Sequence, residues 1–245
     1  MLKIRHNFAS PTTVRGFTLV EMAIVLVIFG LLLSIFLTPF TIQRDAQNRA
    51  KTQVLLNEAK EALMGFAVTN GYLPCPDTDA VPDGIQNRTG TGTFNCTNDE
   101  GILPWNDLGI DRVDSWNRYF RYRVDSTFSS NTKPFTIADA EGASDIQIYG
   151  ENNTALVSTN SRPAAVIISH GTNGFGAKNL NTTSPANQEP APNGADETIN
   201  STESDSTFVS HTPTPQGSAN EFDDMLVWIS PKVLVNRMIT AERLP

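Results

Sequence analysis

Residues 22–43 form a stretch of 22 positions without a charged side chain, and residues 22–37 are almost wholly Ile, Leu, Val, Phe and Met. At about 1.5 Å of rise per residue, roughly 20 apolar residues cross the hydrocarbon core of a bilayer as a helix. Residues 1–16 carry Lys3, Arg5 and Arg15 and no acid. That asymmetry predicts a cytoplasmic amino terminus and export of everything beyond the run. The run ends in Thr38-Pro39-Phe40-Thr41-Ile42-Gln43, which offers no small-x-small cleavage site, so it reads as a retained anchor rather than a removed signal peptide.

The net charge of −8 averages unlike regions. Residues 71–245 hold 11 basic and 22 acidic side chains, the wrong balance for a nucleic-acid surface. Beyond Pro39 a helical pattern resumes. Ile42, Ala46, Ala50 and Val54 step by four, and Leu55, Ala59, Leu63 and Phe66 continue the stripe, with charges and amides opposite. Gly71 is a C-terminal stop. The pattern predicts one helix over about 18–70, bent near Pro39, whose amphipathic second half (44–70) packs on the chain's own head.

In the head (71–245), Cys75 and Cys96 are the only cysteines, and in an exported domain they most simply form one disulfide. Asp77, Asp79 and Asp83 approach a calcium-loop spacing, but Val81 stands where a ligand is needed, so they read as an acidic turn. Phe120, Tyr122 and Val124 alternate with Arg121 and Arg123, the pattern of a strand with one solvated face. Further strands are expected at 135–138, 145–149 and 164–169. Ser169-His170 lacks a nucleophile elbow, and the glycines at 171–176 lack the Lys-Ser/Thr that completes a phosphate loop. No catalytic constellation emerges, and the chain is expected not to be an enzyme. Residues 179–220 read as a long polar loop, followed by an acidic turn, a strand ending near Trp228, and a last helix begun by Ser230-Pro231 with Leu234, Met238 and Ala241 on one face.

Gly16-Phe17-Thr18-Leu19-Val20-Glu21, behind a basic leader and ahead of the apolar run, resembles the prepilin processing motif of type IV pilins and type II secretion pseudopilins. The resemblance implies an α+β, pilin-like fold, with a long N-terminal helix packed on a small antiparallel sheet. It implies that a prepilin peptidase removes the leader (1–16) between Gly16 and Phe17, and that Phe17 becomes the N-methylated terminus. Residues 17–43 then serve as transmembrane and polymerisation helix, with Glu21 meeting the terminal amine of a neighbouring subunit. The implied partners are the peptidase, other pilin or pseudopilin subunits and the bacterial inner membrane, with the head periplasmic. The glycine-rich turn, polar loop and Asp223-Asp224 before Trp228 are similar to the calcium-binding end of major type II secretion pseudopilins, which implies Ca²⁺ on Asp223 and Asp224. The loop here is longer than in those proteins. Its length and the mature length of 229 residues lean towards a minor or specialised subunit. The competing expectation is a single-pass anchored binding module or adhesin that does not polymerise.

Overall fold

The computed structural model describes residues 16–89, 95–180, 189–202 and 206–244, and leaves the side chains of residues 34–42 undescribed. It divides into two compact units, residues 1–45 and 46–245, and the boundary falls within helix α1 (Leu19–Asn70). In the first unit every side chain from 16 to 33 is exposed, including Phe17, Leu26 and Leu31. Among the described residues no helix is long and apolar enough to cross a membrane. The first described apolar run of α1 stops at Leu33, 15 residues into the helix, short of the roughly 18 that a span needs. The side chains of residues 34–42, most of the rest of the expected anchor, lie outside the described ones, while the backbone of α1 runs on through Pro39 as one helix.

The second unit is built on an antiparallel sheet. Along the chain come β1 (Glu100–Ile102), α2 (Trp105–Leu108), β2 (Arg121–Val124), α3 (Ser126–Ser129), β3 (Gln147–Tyr149), β4 (Ala165–Ser169), α4 (Ala195–Ser201), β5 (Thr207–Val209), β6 (Met225–Ile229) and α5 (Pro231–Thr240). The main sheet has the order β1-β2-β4-β6, with Tyr122 opposite Ile167 and Ile167 opposite Val227. β4 is apolar from Ala165 to Ile168 and buried throughout, as a central strand covered on both faces must be.

One face meets the second half of α1. Thr52, Leu56, Ala59, Leu63, Met64 and Ala67 are buried there, spaced at three, four and one residues as one side of a helix requires. The apolar five pack with Tyr122, Ile167 and Ile229 of the sheet, with Phe120 just ahead of β2, and with Leu234, Val235 and Met238 of α5. The stripe expected through Ala46, Ala50 and Val54 is not this face: all three are exposed. Stepping by four drifts around a helix of 3.6 residues per turn, so that series walks off the side that the sheet covers. α1 stops where expected, with Gly71 at φ +89° and its N–H donating to Ala67 C=O at 2.7 Å. In α5, Ala241 is exposed at the C-cap, and Val235 takes its place on the buried side.

The other face carries Val166, Ile168 and Leu226, buried against Ile146, Ile148 and Phe208. Ile148 and Phe208 face each other in a parallel pair, β3 and β5, and Ile146 lies just ahead of β3. This second cover overturns two expectations. Residues 179–220 are not a single loop where they are described, since α4 and β5 lie within them. Arg121 and Arg123 are not solvated, being only 9% and 8% exposed. Arg121 pairs with Glu100 and donates to the carbonyls of Asn200 and Thr202, while Arg123 reaches Asp145 at 3.1 Å. The strand expected at 135–138 is instead a 3-10 turn over Ile137–Ala140, because Thr136 and Asp139 close a capping box. Cys75 and Cys96 are joined in a disulfide with Cα atoms 5.2 Å apart.

Leu63→Ala is expected to lower unfolding stability by about 2–5 kcal/mol, whereas Val54→Ala stays within about 0.5 kcal/mol. Denaturant melts of the full chain in detergent check both, and a larger loss at Val54 would show that the buried stripe is misassigned.

Candidate functional site

Residues 16–18 stand outside the helix, with Phe17 exposed and no atom within 4 Å of the place a Cβ on Gly16 would occupy. Thr18 acts as the N-cap. Its carbonyl accepts from Met22 N–H at 3.2 Å, and its Oγ1 accepts from Glu21 N–H at 3.2 Å. Glu21 Oε2 returns the bond, accepting from Thr18 N–H at 2.9 Å and from the Thr18 hydroxyl at 2.8 Å. That reciprocal pair is a capping box, which satisfies helix-end donors and puts an acid beside the positive end of the helix dipole. The sequence carries the signal for it, Thr18-x-x-Glu21 ahead of an apolar run, beside the intermolecular role that the resemblance implies for Glu21. The bond between Gly16 and Phe17 therefore lies in non-helical backbone two residues ahead of a fixed helix start.

A second constellation forms where β4 ends beside the start of β6. Asp223 and Asp224, just ahead of β6, converge with Glu197 of α4, and one oxygen of each lies within 4.8 Å of the others. All three are buried. The turn after β4 is folded onto them. Gly171, at φ +56°, has room for no Cβ, which would fall 2.3 Å from Asp223. That close approach lets the amides of Thr172 and Asn173 donate to Asp223 Oδ2, both at 2.9 Å. Asp223 Oδ1 has no hydrogen-bond partner among the described residues. Glu197 accepts from Asn173 Nδ2 and from Asp223 N–H, the latter at 2.8 Å. Asp224 is held by His170 Nδ1 at 3.2 Å and by Asn200 Nδ2 at 2.8 Å.

Burial is the main force on the acidity of Glu197 and Asp223. It lifts Glu197 to about 7, helped by the charges of Asp224 and Asp223 and opposed by the bonds from Asn173 and Asp223 N–H. Asp223 is raised for the same first reason, against the pull of its amide donors. A bound cation would relieve this mutual repulsion, and the three carboxylates suit a hard ion. The turn carbonyls do not add to that donor set. Those of Gly171, Thr172 and Asn173 face the Arg118 guanidinium at 2.6, 3.2 and 3.4 Å. Glu197 was hidden from sequence reasoning inside the polar stretch, and only the fold brings it to the two aspartates.

Other candidates resolve into structure. Ser169 Oγ donates to Asp114 at 2.7 Å, so it forms no triad with its neighbour His170. Asp77 accepts from Asp79 N–H at 3.0 Å and from Gly84 N–H at 2.7 Å, closing the acidic turn, and it is itself buried.

A carboxyl whose acidity is weaker in the folded chain stabilises the fold while protonated, and that contribution falls as pH rises through the window between unfolded and folded values. For Glu197 the window runs from about 4.5 to about 7. Stability is expected to decline across it, and Glu197→Gln should flatten the decline. Thermal melts over this pH range test the sign, and an unchanged slope in the variant would refute the assignment.

A family model, the prokaryotic N-terminal methylation motif, matches residues 12–37. No curated protein and no solved structure matches the chain. The head lies outside the matched span, and the motif's family is structural rather than enzymatic. The matched residues include Gly16, Phe17, Thr18 and Glu21, and the chain thus carries the hallmark of type IV prepilin-like proteins.

Proposed function

We propose that the chain is a structural subunit of a type IV pilus or type II secretion pseudopilus, matured by prepilin peptidase and assembled through its N-terminal helix. The methylation motif at residues 12–37 carries this reading. Cleavage between Gly16 and Phe17 leaves the apolar helix on the mature protein, anchored in the inner membrane with the acidic head in the periplasm. The new α-amine of Phe17 is a cation at the positive end of a helix dipole, an unfavourable place unless an acid is near. Glu21 supplies that acid. Its bonds to Thr18 fall on Oε2, and Oε1 is the oxygen that meets the amine of a neighbouring subunit. In apolar surroundings an unpaired carboxylate is costly, so the pairing fixes the register in which helices associate. The work is packing, not catalysis.

Mass spectrometry of the mature protein should find an N-methylated Phe17 terminus, and an intact leader would sink the proposal. Gly16→Ala should accumulate precursor. Glu21→Ala should still be processed but lose filament assembly by crosslinking, whereas a processed, non-filamentous native protein would favour the anchored binding module instead.

The orphaned Asp223 Oδ1 beside Glu197 and Asp224 favours a further role, a calcium site that stabilises the head. Millimolar calcium should raise the melting temperature over an EDTA control, and Asp223→Asn should abolish the difference. Equal melting with and without calcium in the native chain would remove the ion from the account.

A further inference from the structure

The peptide unit of Asp223 is held on both sides. Its N–H donates to Glu197 Oε1 at 2.8 Å, and its C=O accepts from Arg49 Nη2 of α1 at 3.2 Å. The guanidinium also acts through its charge, favouring the ionised Asp223 carboxyl against burial and the neighbouring Asp224. On that carboxyl Oδ2 takes the amides of Thr172 and Asn173, while Oδ1 is buried with no hydrogen-bond partner among the described residues. Oδ1 and the carbonyl oxygen of Asp223 both lie 2.3 Å from the place a Cβ on Gly171 would occupy, so they are close neighbours. Oδ1 is the oxygen open to an ion, and the oxygen beside it is the one that Arg49 holds.

Arg49 stands on a part of α1 that packing barely holds. From Ala46 to Lys51 no side chain is buried. The first that is, Thr52, accepts from Ser115 N–H at 3.2 Å, and the next, Leu56, begins the dry contact with the sheet. A stretch with few buried apolar contacts opens readily, so a charge-assisted bond weighs heavily there. A hard divalent ion on Oδ1 would act on that bond twice. It would cancel the negative charge that draws the guanidinium, and it favours a carbonyl oxygen as a further ligand, the kind of atom Arg49 occupies. Two cations that need the same oxygens exclude each other, and the exclusion is reciprocal: the ion weakens the Arg49 contact by the factor by which that contact weakens the ion.

We propose that Arg49 is the resident counter-cation of the carboxylate cluster and that a divalent ion displaces it, so that ion occupancy releases residues 46–51 of α1 from the head. The displacement rests on the calcium reading of the cluster and couples that site to the helix. The full chain in detergent micelles is titrated with calcium by calorimetry, and backbone amide exchange is followed in calcium and in EDTA. Arg49→Met keeps an apolar stem and removes the charge, and it should bind calcium tighter by roughly fivefold or more. Arg49→Lys keeps the charge and should stay near the native affinity. Calcium should speed exchange over residues 46–51 of the native chain, whereas in Arg49→Met that exchange should be fast with or without the ion. An Arg49→Met affinity equal to or below the native one, as a purely structural arginine predicts, would overturn the proposal. So would native calcium binding that leaves exchange over 46–51 unchanged or slows it. A native chain that binds no calcium would remove the calcium reading itself, and the displacement with it.

Discussion

The antiparallel pairing of β4 with β2 and β6 puts a strand with no solvent-facing position in the middle of the head, and the rest of the head follows from covering it twice. On one side α1 supplies Leu56, Ala59, Leu63 and Ala67. On the other, β3 and β5 supply Ile148 and Phe208, with Ile146 just ahead of β3. Apolar burial contributes roughly 25 cal/mol per Å², so both covers gain from dry contact with the same strand. The second cover also traps charge. Arg121 and Arg123 project from β2 to that side, and each meets an acid there.

The buried carboxylates arise from the same geometry. Strand β4 ends in Ser169 opposite Met225, the first residue of β6, so the turn after one strand and the acidic turn before the other are adjacent. Helix α4 then delivers Glu197 onto the pair. Charges of one sign gather because three separate segments end at one place, and amide donors with the Arg118 guanidinium partly offset the gathering.

What could be read in the sequence was whatever depends on neighbours along the chain. The long helix, its stop at Gly71, β4, the strand holding Trp228 and the helix begun at Ser230 all rest on local pattern and end chemistry. The processing motif is local too. The buried side of α1 was misplaced at Ala46, Ala50 and Val54 because apolar spacing alone does not say which side a sheet will cover. Arg121 and Arg123 looked solvated because their cover, β3 with β5, comes from segments 23 or more residues away. Asp223 and Asp224 were legible as neighbours, but Glu197 shares no pattern with them in sequence, and only the fold brings it to the pair.

The register of the last strand has a consequence for timing. Ala165 pairs with Ile229, a separation of 64 residues, and β6 lies near the end of the chain. Contacts so distant in sequence are slow to form, since the loop between them must close first. A ribosome releases this chain from its amino end, so the helix is free long before β4 can gain its second neighbour. Until residue 229 emerges, the central strand has one open edge and an uncovered row of backbone groups, and the head must pass through that state unfolded or guarded.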